Sequence, residues 1–341
     1  MNRALKFLVA FIAASVAAAS LANEAVYRYR GADRDARLLE NARKEGSVVL
    51  YTSLAPTESG PLGQAFEKKT GVKVEIFRTI SEKVVQRALT EARARRFAFD
   101  VVETNGPEME IMAREKIFSD FHSPHLGDLP ANAIPAHRQW IPDRVNFFVV
   151  AYNTGKVKRE ELPKNYLGFT DSKWRGRIGI EATDAEWMAT LVKTWGEAAG
   201  MAYFRSLAEM RPDVRKGHVL LAELIAAGEI AVGLTVYNSN AESLKRRGAP
   251  IDWLPVEPVV GRPQGIAVAR NAPHPHAALL FVDFVLSPEG QELLNSMGRV
   301  PVSTKVKTDL NRFPYTMVDP VTVLDEQEKW NKLWEGLFIR R

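Results

Sequence analysis

Short apolar runs alternate with amphipathic stretches along most of the chain. Residues 47–51 (Ser-Val-Val-Leu-Tyr) form a β-branched apolar run that predicts a buried strand, and residues 72–77 and 100–103 read the same way. Residues 33–45 predict a helix, with Leu38, Leu39 and Ala42 on one side and Gly46 as its stop. A second helix covers 61–70 and ends at Gly71. A third covers 81–96, with Ser81 as its cap and Val84, Val85, Ala88 and Leu89 on its inner face. A fourth covers 107–116. Continuous apolar strands between amphipathic helices predict a parallel sheet covered on both faces.

Residues 119–143 break this rhythm. They hold Pro124, Pro130, Pro135 and Pro142 and predict an irregular connection, followed by a long apolar strand over 145–152. A second alternation then begins. Strands are expected over 177–180, 229–237, 251–255 and 265–269. Helices are expected over 185–195, 200–210, 218–227, 240–247 and 277–286, and another opens with Pro288 in its first turn. In the C-terminal stretch 324–338, Trp330, Leu333, Trp334 and Leu337 recur at helical spacing and read as packing residues, as does Trp187. No internal repeat is visible. The organisation is two α/β sections, and a ligand is expected in a cleft between them.

The first residues read as an address. Asn2, Arg3 and Lys6 precede an apolar run over 7–19, and Ser20-Leu21-Ala22 offers small residues at a cleavage site. This predicts a signal peptide over 1–22 and an exported, periplasmic protein. The apolar run is short for a bilayer span.

Lysine plus arginine number 46 against 41 acids, a net charge of +5. Loss of Arg3 and Lys6 lowers it to +3, which is no nucleic-acid footprint. The basic runs 93–96 and 245–247 sit at predicted helix ends and read as solvated charge. The chain contains no cysteine. That excludes disulfides, thiolate metal sites and a cysteine nucleophile, and leaves no acceptor for a lipid anchor. Any metal must be held by oxygen or imidazole.

Motifs for catalysis are missing. There is no nucleophile elbow, phosphate loop, H-E-x-x-H or dinucleotide fingerprint. His122 and His125 lie in a Ser-Pro loop, and His274 and His276 interleave with prolines; all four read as solvated. A non-enzymatic protein is expected.

Several segments together resemble a known family. They are Ser47–Ser53, then 64–74 (Gln-Ala-Phe-Glu-Lys-Lys-Thr-Gly-Val-Lys-Val), 100–103, 151–154 (Ala-Tyr-Asn-Thr), 174–179, 228–234 (Gly-Glu-Ile-Ala-Val-Gly-Leu) and 277–294. In order and spacing, over about 46–305, they resemble the periplasmic solute-binding proteins of ABC importers, and the ferric-iron-binding branch in particular. The resemblance implies an α/β, two-lobed periplasmic-binding-protein fold of type II-like form, with an interlobe hinge and cleft. Lobe 1 is expected over 46–145 and 262–305, and lobe 2 over 146–261 and 306–341. It implies a monomer that captures a small solute, closes, and delivers it to an inner-membrane permease, with no cofactor beyond a ferric ion as possible cargo. The alternatives are a small polar organic solute, such as an amine, carboxylate or phosphonate, and a ligand-sensing receptor for a membrane kinase.

The iron ligands of that branch are not reproduced. The resemblance implies two adjacent tyrosines in the loop after 228–234, and only Tyr237 is present. The expected histidine position falls near Ala55 and the glutamate position near Thr104-Asn105, beside Glu103. No metal ligand set is therefore assigned. Candidate ligand-binding residues follow from strand ends: Tyr51, Thr52 and Ser53, then Glu103 and Asn105, then Tyr237 and Asn238. The loop 181–187 (Glu-Ala-Thr-Asp-Ala-Glu-Trp) adds Asp184 and Glu186: either Thr183 or Asp184 caps the next helix and Glu186 favours its dipole, or Asp184 or Glu186 meets a cation, amine or hydroxyl. Arg262 is either a clamp for a carboxylate or phosphate, or a paired arginine.

Overall fold

The computed structural model describes residues 20–340. The bulk of the expected signal peptide lies outside the described residues. The chain divides into two units. One comprises the residues up to Arg144, with Gln264–Leu294 and Pro301–Lys307; the other comprises Val145–Pro263, Asn295–Val300 and Thr308–Arg341.

The first unit is built from α1 (Arg34–Glu45), β1 (Ser47–Thr52), α2 (Pro56–Thr70), β2 (Lys73–Arg78), α3 (Ser81–Arg93), β3 (Val101–Asn105) and α4 (Gly106–Arg114). Both β2 and β3 run parallel to β1. The apolar pattern of β1 is buried as expected, but β2 is an edge strand with Lys73, Glu75 and Arg78 exposed. Ser81 does not cap α3. The cap position is Ile80, and Ser81 accepts a hydrogen bond from Asn105 Nδ2 instead (2.8 Å).

The stretch 119–143 is irregular apart from short 3₁₀ turns. β4 (Ile141–Asn153) carries the chain into the second unit. There follow β5 (Ile178–Glu181), α5 (Ala185–Trp195), α6 (Glu197–Glu209), β6 (Asp213–Arg215), α7 (His218–Ala226), β7 (Val232–Tyr237), α8 (Asn238–Arg246) and β8 (Ile251–Leu254). β5 pairs parallel with β6 and β7, whereas β7 and β8 run antiparallel to β4. β9 (Val259–Val268) returns the chain to the first unit, antiparallel to β3. The sheets are thus mixed rather than purely parallel, because β4 and β9 enter without a covering helix to reverse their direction. α9 (Pro275–Leu286) and most of α10 (Pro288–Ser296, as far as Leu294) complete the helices of the first unit. β10 (Tyr315–Met317), α11 (Pro320–Asp325) and α12 (Gln327–Trp334) complete the second.

The two cores are aromatic and aliphatic. In the first unit Phe66 meets Phe281 edge-on at 5.1 Å. In the second, Trp187 packs edge-on against Phe204 and Trp334, and Trp330 is buried beside them, so these tryptophans are packing residues as expected.

His274 and His276 are half-buried and paired rather than free in solvent. His274 Nδ1 lies 2.9 Å from Asp100 Oδ2, and His276 Nδ1 lies 2.7 Å from Glu45 Oε1. The same carboxylates accept the backbone N–H groups of His274, His276 and Ala277. These are donors that the start of α9 leaves unpaired, so the histidines anchor that helix. Arg93, Arg95, Arg96 and Lys245–Arg247 are exposed, as expected.

Candidate functional site

The second unit gathers charge at the ends of β5, β7 and α7. β5 ends at Glu181 and α5 begins after Asp184, so the loop between them is three residues long. Asp184 occupies the N-cap position of α5 but makes no side-chain capping bond. The capping role is not realised. Its carboxylate instead lies 3.3 Å from Nε2 of His218, the first residue of α7. His218 Nδ1 faces the carbonyl oxygen of Thr235 at 3.1 Å. Glu181 accepts from the N–H of Gly217 (2.9 Å) and the hydroxyl of Thr183 (2.7 Å). Gly217 has φ of +112°, a conformation that glycine adopts at little cost, and this lets its N–H turn onto Glu181.

Next to this group stands a second. Arg262, on β9, pairs with Glu186 of α5 and donates from Nη1 to the Tyr237 hydroxyl at 2.6 Å. The Tyr237 ring stacks on His218, with centroids 3.7 Å apart and planes 25° apart. Asp184, Glu186, Tyr237 and Arg262 are all buried.

Burial governs the ionisation here. It raises Asp184 above the usual carboxylate range, with Glu181 adding to the effect and His218 opposing it. Burial would lower His218, but Asp184 and Glu181 outweigh it and hold the imidazole above its ordinary value. Burial also opposes the charge on Glu181, yet His218 and the bonds from Thr183 and Gly217 keep it below its ordinary value. Tyr237 is pushed well above the ordinary phenol value by burial, against the pull of Arg262. Tyr237 is therefore a neutral phenol whose oxygen receives a guanidinium donor.

The first unit has its own polar cluster. Thr52 donates to Glu103, which pairs with Arg144, and Arg144 lies 3.2 Å from Asp143. Thr104 donates to Ser53 at 3.0 Å. Thr52, Ser53 and Glu103 are thus brought together.

Three other candidates are engaged elsewhere. Tyr51 is buried between Phe77 and Phe99, and its hydroxyl meets Glu91 at 3.1 Å. Its strand-end position sends the ring into the β1–α3 layer, where Arg87 covers it. Asn105 is held by Ser81. Asn238 is wholly buried, donates to the Leu310 carbonyl (2.9 Å) and accepts from Ser239 N (2.9 Å) and Phe147 N (3.4 Å). Asn238 thus satisfies buried backbone groups, whereas Tyr51 and Asn105 are held by side chains. His218 was not among the sequence candidates. Its one legible signal is a helix-initial histidine after a glycine, at positions 217–218, and its partners lie some 35 residues upstream.

A family model described as bacterial extracellular solute-binding protein matches residues 62–313. The chain belongs to this family. Among curated relatives, the major ferric iron-binding protein of Neisseria meningitidis serogroup A is 22% identical over 315 residues, covering 84% of this chain and 92% of the relative. The Fe(3+)-binding periplasmic protein of Serratia marcescens is 21% identical over 272 residues, covering 75% and 78%. Iron-bound HitA from Pseudomonas aeruginosa matches with a TM-score of 0.74 and 22% identity, covering 85% of this chain and 99% of that one. AfuA from Actinobacillus pleuropneumoniae, solved with fructose-6-phosphate, matches with a TM-score of 0.75 and 23% identity, covering 86% and 98%. The two-lobed α/β periplasmic-binding-protein fold expected from the sequence is therefore the fold of the chain. These solved neighbours differ in what they hold, so the fold alone names no solute for this chain.

Proposed function

We propose that the protein is the exported, periplasmic solute-binding component of an ABC importer, and that its solute is a small polar organic molecule. The observation that carries this reading is the Glu186–Arg262–Tyr237 group. A guanidinium and a neutral phenol suit a carboxylate, phosphate or hydroxyl on the solute, and Glu186 suits an amine or hydroxyl. Ferric capture on Tyr237 would need a phenolate. This phenol is held protonated by burial and already accepts from Arg262. The ferric reading has support from the relatives named for iron, but where the resemblance implies two adjacent tyrosines this chain has only Tyr237, slightly before the expected pair. Delivery to a membrane permease, with no bond chemistry on the solute, completes the reading.

Native mass spectrometry of protein purified from its host, followed by calorimetric titration with amines, carboxylates, sugar phosphates and ferric citrate, tests it. An organic solute bound one-to-one is the expected result. Tyr237→Phe removes an acceptor from a charged donor, and is expected to weaken that binding about tenfold while the circular dichroism spectrum is unchanged. An unchanged dissociation constant removes Tyr237 from the site. A ferric complex with a visible tyrosinate band overturns the organic reading.

A further inference from the structure

We propose that Glu181, Asp184 and His218 form a binding site for a divalent first-row transition-metal cation. The three residues come from three elements: the end of β5, the cap position of α5 and the first residue of α7. One ligand atom from each lies within 4.8 Å of the others. A cation with bonds of about 2.0–2.2 Å needs ligand atoms about 3–4 Å apart, so a small contraction closes the triad.

The histidine is set for the role. A carbonyl oxygen only accepts, so the contact with Thr235 assigns the proton to Nδ1. A cation displaces any proton on Nε2, and the lone pair so freed faces Asp184. A metal-ligating imidazole is held in this way, one nitrogen on the metal and the other donating to an oxygen behind it.

Asp184 is the independent observation. Its side chain is 0% exposed, and neither carboxylate oxygen receives a hydrogen bond. A helix start lies beside it, yet it makes no capping bond. Buried carboxylates are otherwise hydrogen-bonded, paired or bound to metal. The imidazole at 3.3 Å is its near partner, and that imidazole is the third ligand of the site. Glu181 is oriented by Gly217 and Thr183, as a ligating carboxylate is by its outer partners. Two carboxylates and a neutral imidazole carry a charge of −2, which a dication cancels. One nitrogen and two or more oxygens suit Zn2+, Mn2+ or Fe2+ better than soft ions.

This goes beyond the solute reading. The cation would be a fixed constituent of the second unit, present whether or not solute is bound. The experiment uses the full mature protein, stripped with a chelator and dialysed. Calorimetry with Zn2+ and Mn2+, each alone, is expected to give one saturable site and a raised melting temperature. Asp184→Asn and His218→Gln are each expected to weaken binding by at least about tenfold. His125→Gln, in the first unit, is expected to leave it unchanged. Circular dichroism checks that each variant is folded, and His218→Gln carries the test alone where Asp184→Asn is not. No saturable binding to the unsubstituted protein overturns the proposal, and so does binding that survives His218→Gln. Solute titration in the chelated protein is a separate readout, so failure of this site and failure of the solute reading are distinguishable.

Discussion

Asp143 shows what burial does to one carboxyl group. It sits on β4, wholly buried, with Arg144 as its near cation and Glu103 as its near anion. Burial is the largest influence and Glu103 adds to it; Arg144 opposes, and the group is pushed up to about 7. An unfolded aspartate titrates at about 3.9. Between these values the folded chain holds a proton that the unfolded chain has lost. The associated stabilisation is complete below about pH 4 and disappears as pH rises through about 7. The melting temperature of the unsubstituted protein is expected to fall between pH 5 and 8 by more than that of Asp143→Asn. Parallel profiles for the two proteins would show that Asp143 is ionised in the fold throughout. The same reasoning separates the two arginine pairs. Arg144 is shared by Glu103 and Asp143, whereas Arg262 is shared by Glu186 and a phenol oxygen, a neutral acceptor that a solute group can replace.

At the scale of elements, α10 explains a five-residue pattern, Ser287-Pro-Glu-Gly-Gln291. Pro288 starts the helix. A Cβ on Gly290 would stand 2.1 Å from the Phe284 carbonyl oxygen, so the turn from α9 into α10 admits only glycine there. Gln291 then spends its whole amide on backbone: Nε2 donates to the carbonyls of Asp143 (2.9 Å) and Val285 (3.0 Å), and Oε1 accepts from Val302 N (3.0 Å) and Ser303 N (3.1 Å). Gln291→Leu leaves four buried backbone groups unpaired and is expected to cost at least about 3 kcal/mol in denaturant unfolding. A loss below about 1 kcal/mol would mean that water replaces the amide. This element also marks the limit of sequence reading. Helix position, Pro288 and the apolar face of α9 follow from local pattern. The partner of Gln291 on β4 is 148 residues away, and no local pattern encodes it. The candidate site divides likewise. Asp184, Glu186, Tyr237 and Arg262 were legible as polar residues at strand ends and loops. The engagement of Tyr51, Asn105 and Asn238 was not, because their partners come from other elements. His218 was missed for the same reason.

At the scale of the whole molecule, the N-terminal segment begins to be buried at Asn23. Leu21 is 69% exposed and Ala22 is exposed, but Asn23 is buried and donates from Nδ2 to the carbonyls of Ala272 (3.0 Å) and Arg270 (3.2 Å). One helical turn later Tyr27 is wholly buried and its hydroxyl donates to Ala269 O at 2.9 Å. Arg28 then pairs with Asp120 at 2.6 Å. All these contacts lie within the first unit, those of Asn23 and Tyr27 on the segment that follows β9 and that of Arg28 on the irregular stretch 119–143. The expected cleavage after Ala22 removes an apolar residue that packs against little and keeps every one of these bonds. Cleavage later would leave the Arg270 and Ala272 carbonyls without their donor. N-terminal sequencing of the exported protein is therefore expected to begin at Asn23. A chain starting at Gly31 loses the Asn23 and Tyr27 bonds together with the burial of the tyrosine ring, and is expected to be less stable by about 3–5 kcal/mol in denaturant unfolding. An unchanged midpoint for that truncated chain would show that the segment merely rests on the first unit rather than completing it.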